Sequence, residues 1–182
     1  MHKLENNWMM WIHYIYDNDW SINSYKQIYS FNTLEELIKL NNFINNSILT
    51  NLMIFYMKDN IKPIWEDENN KNGGSFSYKI SNNLLDNVWK NIVFALIGNT
   101  LSEDENILKN INGISISPKK NYCIIKLWLS DIKNFKNTSI YNFINDSINN
   151  KIDLINYDPF NIHKICNIEQ QLCIFKLHDS LY

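Results

Sequence analysis

The chain predicts an α+β fold in which an antiparallel sheet carries helices on one of its faces. Three observations lead there. Segments with strand periodicity outnumber helical ones, successive strand segments are joined by short turns, and the helical segments carry one wide apolar stripe each. At 182 residues, with glycine and proline scarce and no linker or internal repeat, the sequence reads as a single domain over 1–182.

Taken in order, residues 8–16 form the first strand, with Trp8, Met10, Ile12 and Tyr14 alternating against Met9, Trp11, His13 and Ile15. Both faces are largely apolar, as suits a strand buried on one side and lining a groove on the other. Residues 25–31 are a second strand. Thr33-Leu34-Glu35-Glu36 then reads as a capping box that opens a helix running to about Ile44, with Leu37, Leu40 and Ile44 turned inward. Residues 51–58 and 76–80 are strands, the latter leaving a Gly73-Gly74 turn. A second helix covers 83–97 and is closed by Gly98. Residues 113–117 and 122–129 flank Pro118-Lys119-Lys120-Asn121 as a hairpin; 139–149 reads as a third helix and 172–177 as a last strand.

Composition bounds the function. Hydrophobic residues make up 45% of the chain and aromatic residues 14%, which excludes a disordered polypeptide. The net charge of −2 excludes a broad basic face for long nucleic acid, so DNA is not an expected partner. All 17 basic residues are lysine, and asparagine and isoleucine abound, a bias typical of an AT-rich genome; the asparagine runs are read as that bias. Cys123, Cys166 and Cys173 are odd in number and show no metal spacing, which suggests reduced thiols in the cytoplasm. No signal peptide and no apolar run of membrane-spanning length is visible. A monomer without metal or cofactor is expected.

The chemistry concentrates in two polar loops. In Pro63-Ile64-Trp65-Glu66-Asp67-Glu68 a tryptophan stands beside a carboxylate, and the loop continues through Asn69-Asn70-Lys71-Asn72-Gly73-Gly74. An indole face can stack on a flat, electron-poor heterocycle while the carboxylate accepts hydrogen bonds from its edge. Trp20 lies in a second polar turn, Asp17-Asn18-Asp19-Trp20-Ser21. Facing each other, the two loops would hold a charged base such as 7-methylguanine. Trp8, Trp11 and Trp89, in periodic segments, read as core.

These residues also carry a resemblance. The ordered set His2-x-Leu4-x-x-x-Trp8-x-x-Trp11, Trp20, Phe31-x-Thr33-Leu34-Glu35-Glu36, Trp65-Glu66-Asp67-Glu68 through Gly73-Gly74, Trp89 with Leu96-Ile97-Gly98, and Trp128 resembles the cap-binding translation initiation factor 4E family over residues 2 to about 130. The resemblance implies a curved antiparallel sheet of about eight strands with three long helices on its convex face and a cap slot on the concave face. It implies that Trp20 and Trp65 sandwich 7-methylguanine and that Glu66 accepts its N1–H and N2 amino protons. The Trp65 backbone N–H would donate to O6, and Trp128 would pack against the N7-methyl group. Lys119 falls on the arginine that the family uses for the cap phosphates and Ile124 on its lysine. Lys120 and Lys126 are the substitutes, Lys126 because residues 124, 126 and 128 share one face of a strand.

The sequence departs from the family on the convex face, where a scaffold, factor 4G, and inhibitory proteins dock. Ile38 replaces a tryptophan, Lys90 and Asn91 replace a Leu-Glu pair, and Leu34 and Phe94 keep the apolar character. Lys3 replaces the proline that follows the histidine, and Phe76 replaces a tryptophan. Almost nothing precedes His2, so no regulatory N-terminal tail is expected.

The function expected is binding of 7-methylguanosine-capped mRNA and its recruitment to translation, without catalysis. The alternatives are a cap-binding repressor that does not engage the usual scaffold, and an interaction domain that has lost the cap. Glu66, Asp67 and Glu68 could in principle supply an acid/base pair, but neighbours on an extended loop point apart. In the last segment, His163 and Lys164 are candidates for a further contact to the cap.

Overall fold

A computed structural model of the chain describes residues 1–131 and the strand Gln171–Ile174. The strands are β1 (Lys3–Tyr14), β2 (Lys26–Thr33), β3 (Leu52–Lys58), β4 (Gly74–Ser81), β5 (Ile111–Pro118), β6 (Tyr122–Leu129) and β7 (Gln171–Ile174). They form one seven-stranded sheet in the order β2-β1-β3-β5-β6-β4-β7. Every pairing is antiparallel. The helices are α1 (Leu34–Phe43), α2 (Asn46–Leu49), α3 (Leu85–Ile97) and α4 (Glu105–Asn110). The α+β class stands as expected. The described residues hold seven strands where about eight were expected, and two helices of more than two turns, α1 and α3. The expected helix over 139–149 and the end of the expected last strand lie outside the described residues.

All four helices pack on the same face. Leu37 of α1, Leu49 of α2, Ile107 of α4 and most of α3 join Trp8, Met10, Ile12, Ile54, Tyr56, Phe76, Tyr78, Ile80, Ile125 and Leu127 in one core. The period-two alternation of the strands therefore decides the opposite face. Trp11, Phe55, Met57 and Trp128 form a second, small cluster there, with Met9, Ile22, Tyr25, Met53 and Ile61 against it. This open face carries no described helix.

Local signals explain the element ends. Thr33 accepts from the Glu36 N–H at 3.4 Å while the Glu36 carboxylate accepts from the Thr33 N–H at 3.2 Å, the reciprocal capping box read from the sequence. Glu35, beside it, accepts from the backbone N–H of His2 at 3.0 Å and from its ring at 2.9 Å, and these bonds hold its carboxyl down at about 2. α3 ends at Gly98, but not through a left-handed glycine. Gly98 has φ −83° and the left-handed position is Asn99, at φ 57°. Thr100 N–H donates to the Ala95 carbonyl at 2.8 Å and Asn99 N–H to that of Leu96 at 3.2 Å, a Schellman closure. Gly98 is needed for space, because a Cβ there would stand 2.8 Å from the Phe94 carbonyl oxygen.

Three features differ from the sequence reading. β1 begins at Lys3, five residues before the apolar alternation: Lys3 pairs with Thr33 of β2, and the register shifts before Trp8 pairs with Phe31. α2 and α4 were not read, being too short for periodicity; each is capped by an Asx side chain, Asn45 to the Ile48 N–H and Asp104 to the Asn106 N–H. Cys123, the one described cysteine side chain, is buried on the helix-bearing side, and burial pushes its thiol up to about 11. Among the described residues no helix is long and apolar enough to cross a membrane.

Candidate functional site

The six tryptophans divide into three pairs. Trp8 and Trp89 are in the main core, 1% and 0% exposed. Trp11 and Trp128 line the open face at 7% and 8%. Trp20 and Trp65, both in loops, are 56% and 39% exposed. A half-exposed indole in a loop costs solvation that burial would remove, and the last pair is the one that leaves the most indole surface in water.

Trp65 sits on a loop tied from below. The Asp67 carboxylate accepts from Lys62 N–H at 3.1 Å and from Asn69 N–H at 2.9 Å. Asn70, wholly buried, donates to the Lys62 carbonyl at 2.9 Å and the Ile64 carbonyl at 2.8 Å. Asn112 of β5 donates to the Asn70 side-chain oxygen at 2.9 Å and to the Asn69 carbonyl at 2.8 Å, fixing the loop to the sheet. At the loop's end Gly73 passes against β6, where a Cβ would fall 1.6 Å from the Leu129 carbonyl oxygen. Only a residue without Cβ closes the loop there.

Within this scaffold the three consecutive acids have different fates. Asp67 is spent on the loop's own N–H groups, and Glu68 is paired with Lys71. Glu66 is exposed and has no hydrogen bond or ion pair among the described residues. The acid/base pair considered from the sequence has no second free carboxylate.

Trp20 is held differently. Its indole lies parallel to the His13 ring, with centroids 4.6 Å apart and an interplanar angle of 8°. The Asp19 carboxylate accepts from Ser21 N–H at 2.8 Å and Ser21 Oγ at 3.0 Å, which holds it below the usual carboxylate range. Tyr25 packs against His13 and Phe55. Its hydroxyl is pushed up to about 12, first by burial and then by the negative charges of Glu66 and Asp19. Tyr25 therefore stands within electrostatic reach of both the Trp65 loop and the Trp20 loop.

On β6, Lys126 and Trp128 share the open face. Lys126 lies between Ser77 of β4 and Ser115 of β5 in the register, and Trp128 Nε1 donates to Ser115 Oγ at 2.9 Å. Lys126 is half-buried; Lys119 and Lys120 are exposed at the hairpin tip, roughly 20 Å further along the strand from Trp128. Lys126 is thus the cation nearest to Trp128 along β6. His163 and Lys164 lie outside the described residues, as do the side chains of β7.

The surface expected to meet a partner is on the helix-bearing side. Leu34 and Ile38 are exposed on α1, at 36% and 40%. On α3, Phe94 packs partly against the core, Asn91 is half-buried, and Lys90 pairs with Asp86 at 3.0 Å. The structure thus puts these five residues on helices on the side of the sheet opposite Trp128, Lys126 and the His13 ring on which Trp20 stacks.

Comparison with known proteins gives this arrangement its family. A profile described as eukaryotic initiation factor 4E matches residues 3–173. The chain belongs to that family. It is a family of translation factors, not of enzymes. Similar members include eukaryotic translation initiation factor 4E of Eremothecium gossypii, 31% identical over 138 residues, covering 72% of this chain and 64% of the relative. A homolog from Acanthamoeba polyphaga mimivirus is 29% identical over 164 residues, 77% of this chain and 56% of that protein. The chain thus spans less than two thirds of the length of either relative. Among solved structures, Caenorhabditis elegans eIF4E-3 in complex with the 4E-binding protein Mextli and a cap analog is similar in fold, with a TM-score of 0.74 at 22% identity over 98% of this chain and 95% of that one. Ascaris suum eIF4E-3 in complex with m7G cap gives a TM-score of 0.71 at 26% identity over 81% and 84%.

His13, Tyr25, Asn70 and Asn112 were not singled out as site residues from the sequence. Asn70 stood in the Trp65-to-Gly74 motif, but an asparagine in so asparagine-rich a chain carries little signal by itself. His13 and Tyr25 stand in strand-like segments, and nothing local says that they face the Trp20 turn.

Proposed function

We propose that this protein binds the 7-methylguanosine 5′ cap of mRNA between Trp20 and Trp65 and recruits the message to translation initiation in the cytoplasm, as a monomer. The observation that carries the reading is Glu66: an uncommitted carboxylate beside the exposed Trp65, in electrostatic reach of the tyrosine whose ring meets His13. Methylation at N7 leaves a delocalised positive charge on the base. Stacking on indole then gains a cation–π contribution of about 2 kcal/mol once desolvated. Ordinary stacking contributes about 1–3 kcal/mol per aromatic and does not distinguish the methylated base.

Discrimination follows from the charge and from Glu66. The carboxylate accepts the N1–H and N2 amino protons of the base while its anion complements the cation. The Trp65 backbone N–H donates to O6, and Trp128 lies against the N7-methyl group. Lys126, followed by Lys119 and Lys120 towards the hairpin tip, meets the phosphate chain as point charges without an arginine fork. Relatives solved with a cap or cap analog support this reading.

The test is a titration with 7-methylguanosine triphosphate and with GTP, followed by tryptophan fluorescence. Strong quenching by the methylated ligand alone is expected. Equal or absent quenching overturns the reading and leaves an interaction domain without cap binding.

A second reading concerns the partner. A family relative was solved with Mextli and another, from a schistosome, with 4E-BP. Here Lys90 is paired with Asp86 and Ile38 stands where the family resemblance expects a tryptophan. The helix-bearing face so altered suits a dedicated partner through Leu34, Ile38 and Phe94, and a cap-binding repressor is then the alternative to a factor that engages the usual scaffold. Co-purification with a scaffold peptide, with and without Ile38→Trp, separates the two.

A further inference from the structure

We propose that His13 is the positioning residue of the Trp20 wall: a buried imidazole that backs one face of the indole so that only the other is offered to a ligand. This deepens the cap-binding reading and rests on it for the identity of that ligand. The His13 ring lies 4.6 Å from the Trp20 ring at 8°, close to a parallel stack, and is itself 0% exposed. Trp20 keeps 56% of its surface in solvent. One indole face is therefore covered and the other open, the arrangement a stacking ligand needs.

The same imidazole fixes the backbone that carries Trp20. His13 Nε2 lies 2.9 Å from the Asp19 carbonyl oxygen. A carbonyl only accepts, so Nε2 carries a proton. Nδ1 is buried and has no hydrogen-bond partner among the described residues. A phenylalanine would fill the space without that orphan nitrogen, whose burial is unfavourable. What the imidazole adds is the Nε2–H tie to the residue directly before Trp20.

His13 also joins Trp20 to the rest of the open face. Its ring meets Tyr25 at 4.7 Å and 50°, Tyr25 meets Phe55 at 5.4 Å and 67°, and Phe55 meets Trp128 at 6.3 Å and 62°. Five rings thus run without a gap from the Trp20 loop to Trp128. Aromatic contacts of this geometry are favourable beyond the area they bury, so the loop indole inherits its orientation from the strands through one side chain.

Three variants separate stack from tie. His13→Phe keeps a ring and loses the hydrogen bond, His13→Gln keeps a donor and loses the ring, and His13→Ala loses both. In the ligand-free protein, acrylamide quenching of Trp20 is isolated by subtracting the Trp20→Phe counterpart of each variant. It is expected to rise in His13→Ala and His13→Gln and to stay at the parent level in His13→Phe. Affinity for 7-methylguanosine triphosphate is expected to fall about tenfold in His13→Ala. His13→Phe should bring it back to within about threefold of the parent.

Unchanged quenching and affinity in His13→Ala would overturn the proposal. So would rescue by His13→Gln with none by His13→Phe, which would leave the tie and not the stack in charge. If His13→Ala does not fold, the comparison of the Phe and Gln variants decides. If the parent binds no cap analogue while Trp20 quenching changes as expected, the cap reading falls and His13 stands as the brace of an indole that serves another ligand.

Discussion

The two exposed tryptophans are held by opposite means. Trp65 is positioned through its backbone: Asp67, Asn70 and Asn112 satisfy the loop's polar groups from beneath, and Gly73 lets the chain close against β6. Trp20 is positioned through its ring, which lies on His13, and through a single tie to the carbonyl before it. The stretch 59–73, which leaves the sheet after β3 and returns at β4, buries amides and carbonyls, so it needs buried amide side chains to pair them. The connection after β1, residues 15–25, pairs its N–H groups locally, at the Asp17 and Asp19 carboxylates, and one flat neighbour supplies the direction of the indole. The Trp65 loop should therefore fail through stability and the Trp20 loop through orientation.

The largest effect that would break this contrast is expected from Asn70→Ala. It removes three hydrogen bonds and leaves the Asn112 amide and two carbonyls short of a partner, a loss of about 2–4 kcal/mol of stability, read as a shift in the urea midpoint. An unchanged midpoint would mean that the loop does not depend on its buried amides. Next comes Glu66→Gln. Hydrogen bonds to a charged group are worth about 1.5–3 kcal/mol, so affinity for the methylated cap analogue should drop about tenfold to a hundredfold. The urea midpoint should not move, because Glu66 holds nothing in the fold; equal binding by parent and variant would refute its edge-recognition role.

Lys126→Ala is expected to weaken 7-methylguanosine triphosphate about fivefold, with little change for the bare methylated nucleoside. Equal losses for the two ligands would remove Lys126 from the phosphate path. The smallest effect is in salt. With two or three phosphate contacts the log–log slope of affinity against salt should be about −1 to −2. A steeper slope would point to an RNA path beyond the cap, on a surface that neither loop explains.

Much of the fold was legible because its signals are local. The capping box at Thr33 and Glu36 needs only four residues, and the β5–β6 hairpin only its turn. Trp8 and Trp89 fall in the core because their segments keep a strict period. Gly98 was legible as a stop but not as a mechanism, since the left-handed residue is Asn99 and the glycine answers a contact with Phe94. Of the site, Trp20, Trp65 and Glu66 stood out because large or charged side chains in polar loops are costly to leave without a use. Their supports did not. Asn112 is 42 residues from Asn70, and Tyr25 senses Glu66 across a separation that no pattern encodes.

The amino-acid sequence by itself determined the cores of the longer strands and helices, where α1 begins, and which side chains stand in the two polar loops. Period, capping and turn chemistry act over a few residues and need no knowledge of the rest. The strand order β2-β1-β3-β5-β6-β4-β7, which face of β1 receives the helices, and the placing of His13 behind Trp20 belong to the tertiary structure. Alternation along β1 yields two apolar faces of nearly equal quality. Only packing against the helices made Trp8 core and left Trp11 and His13 to build the wall on the other side.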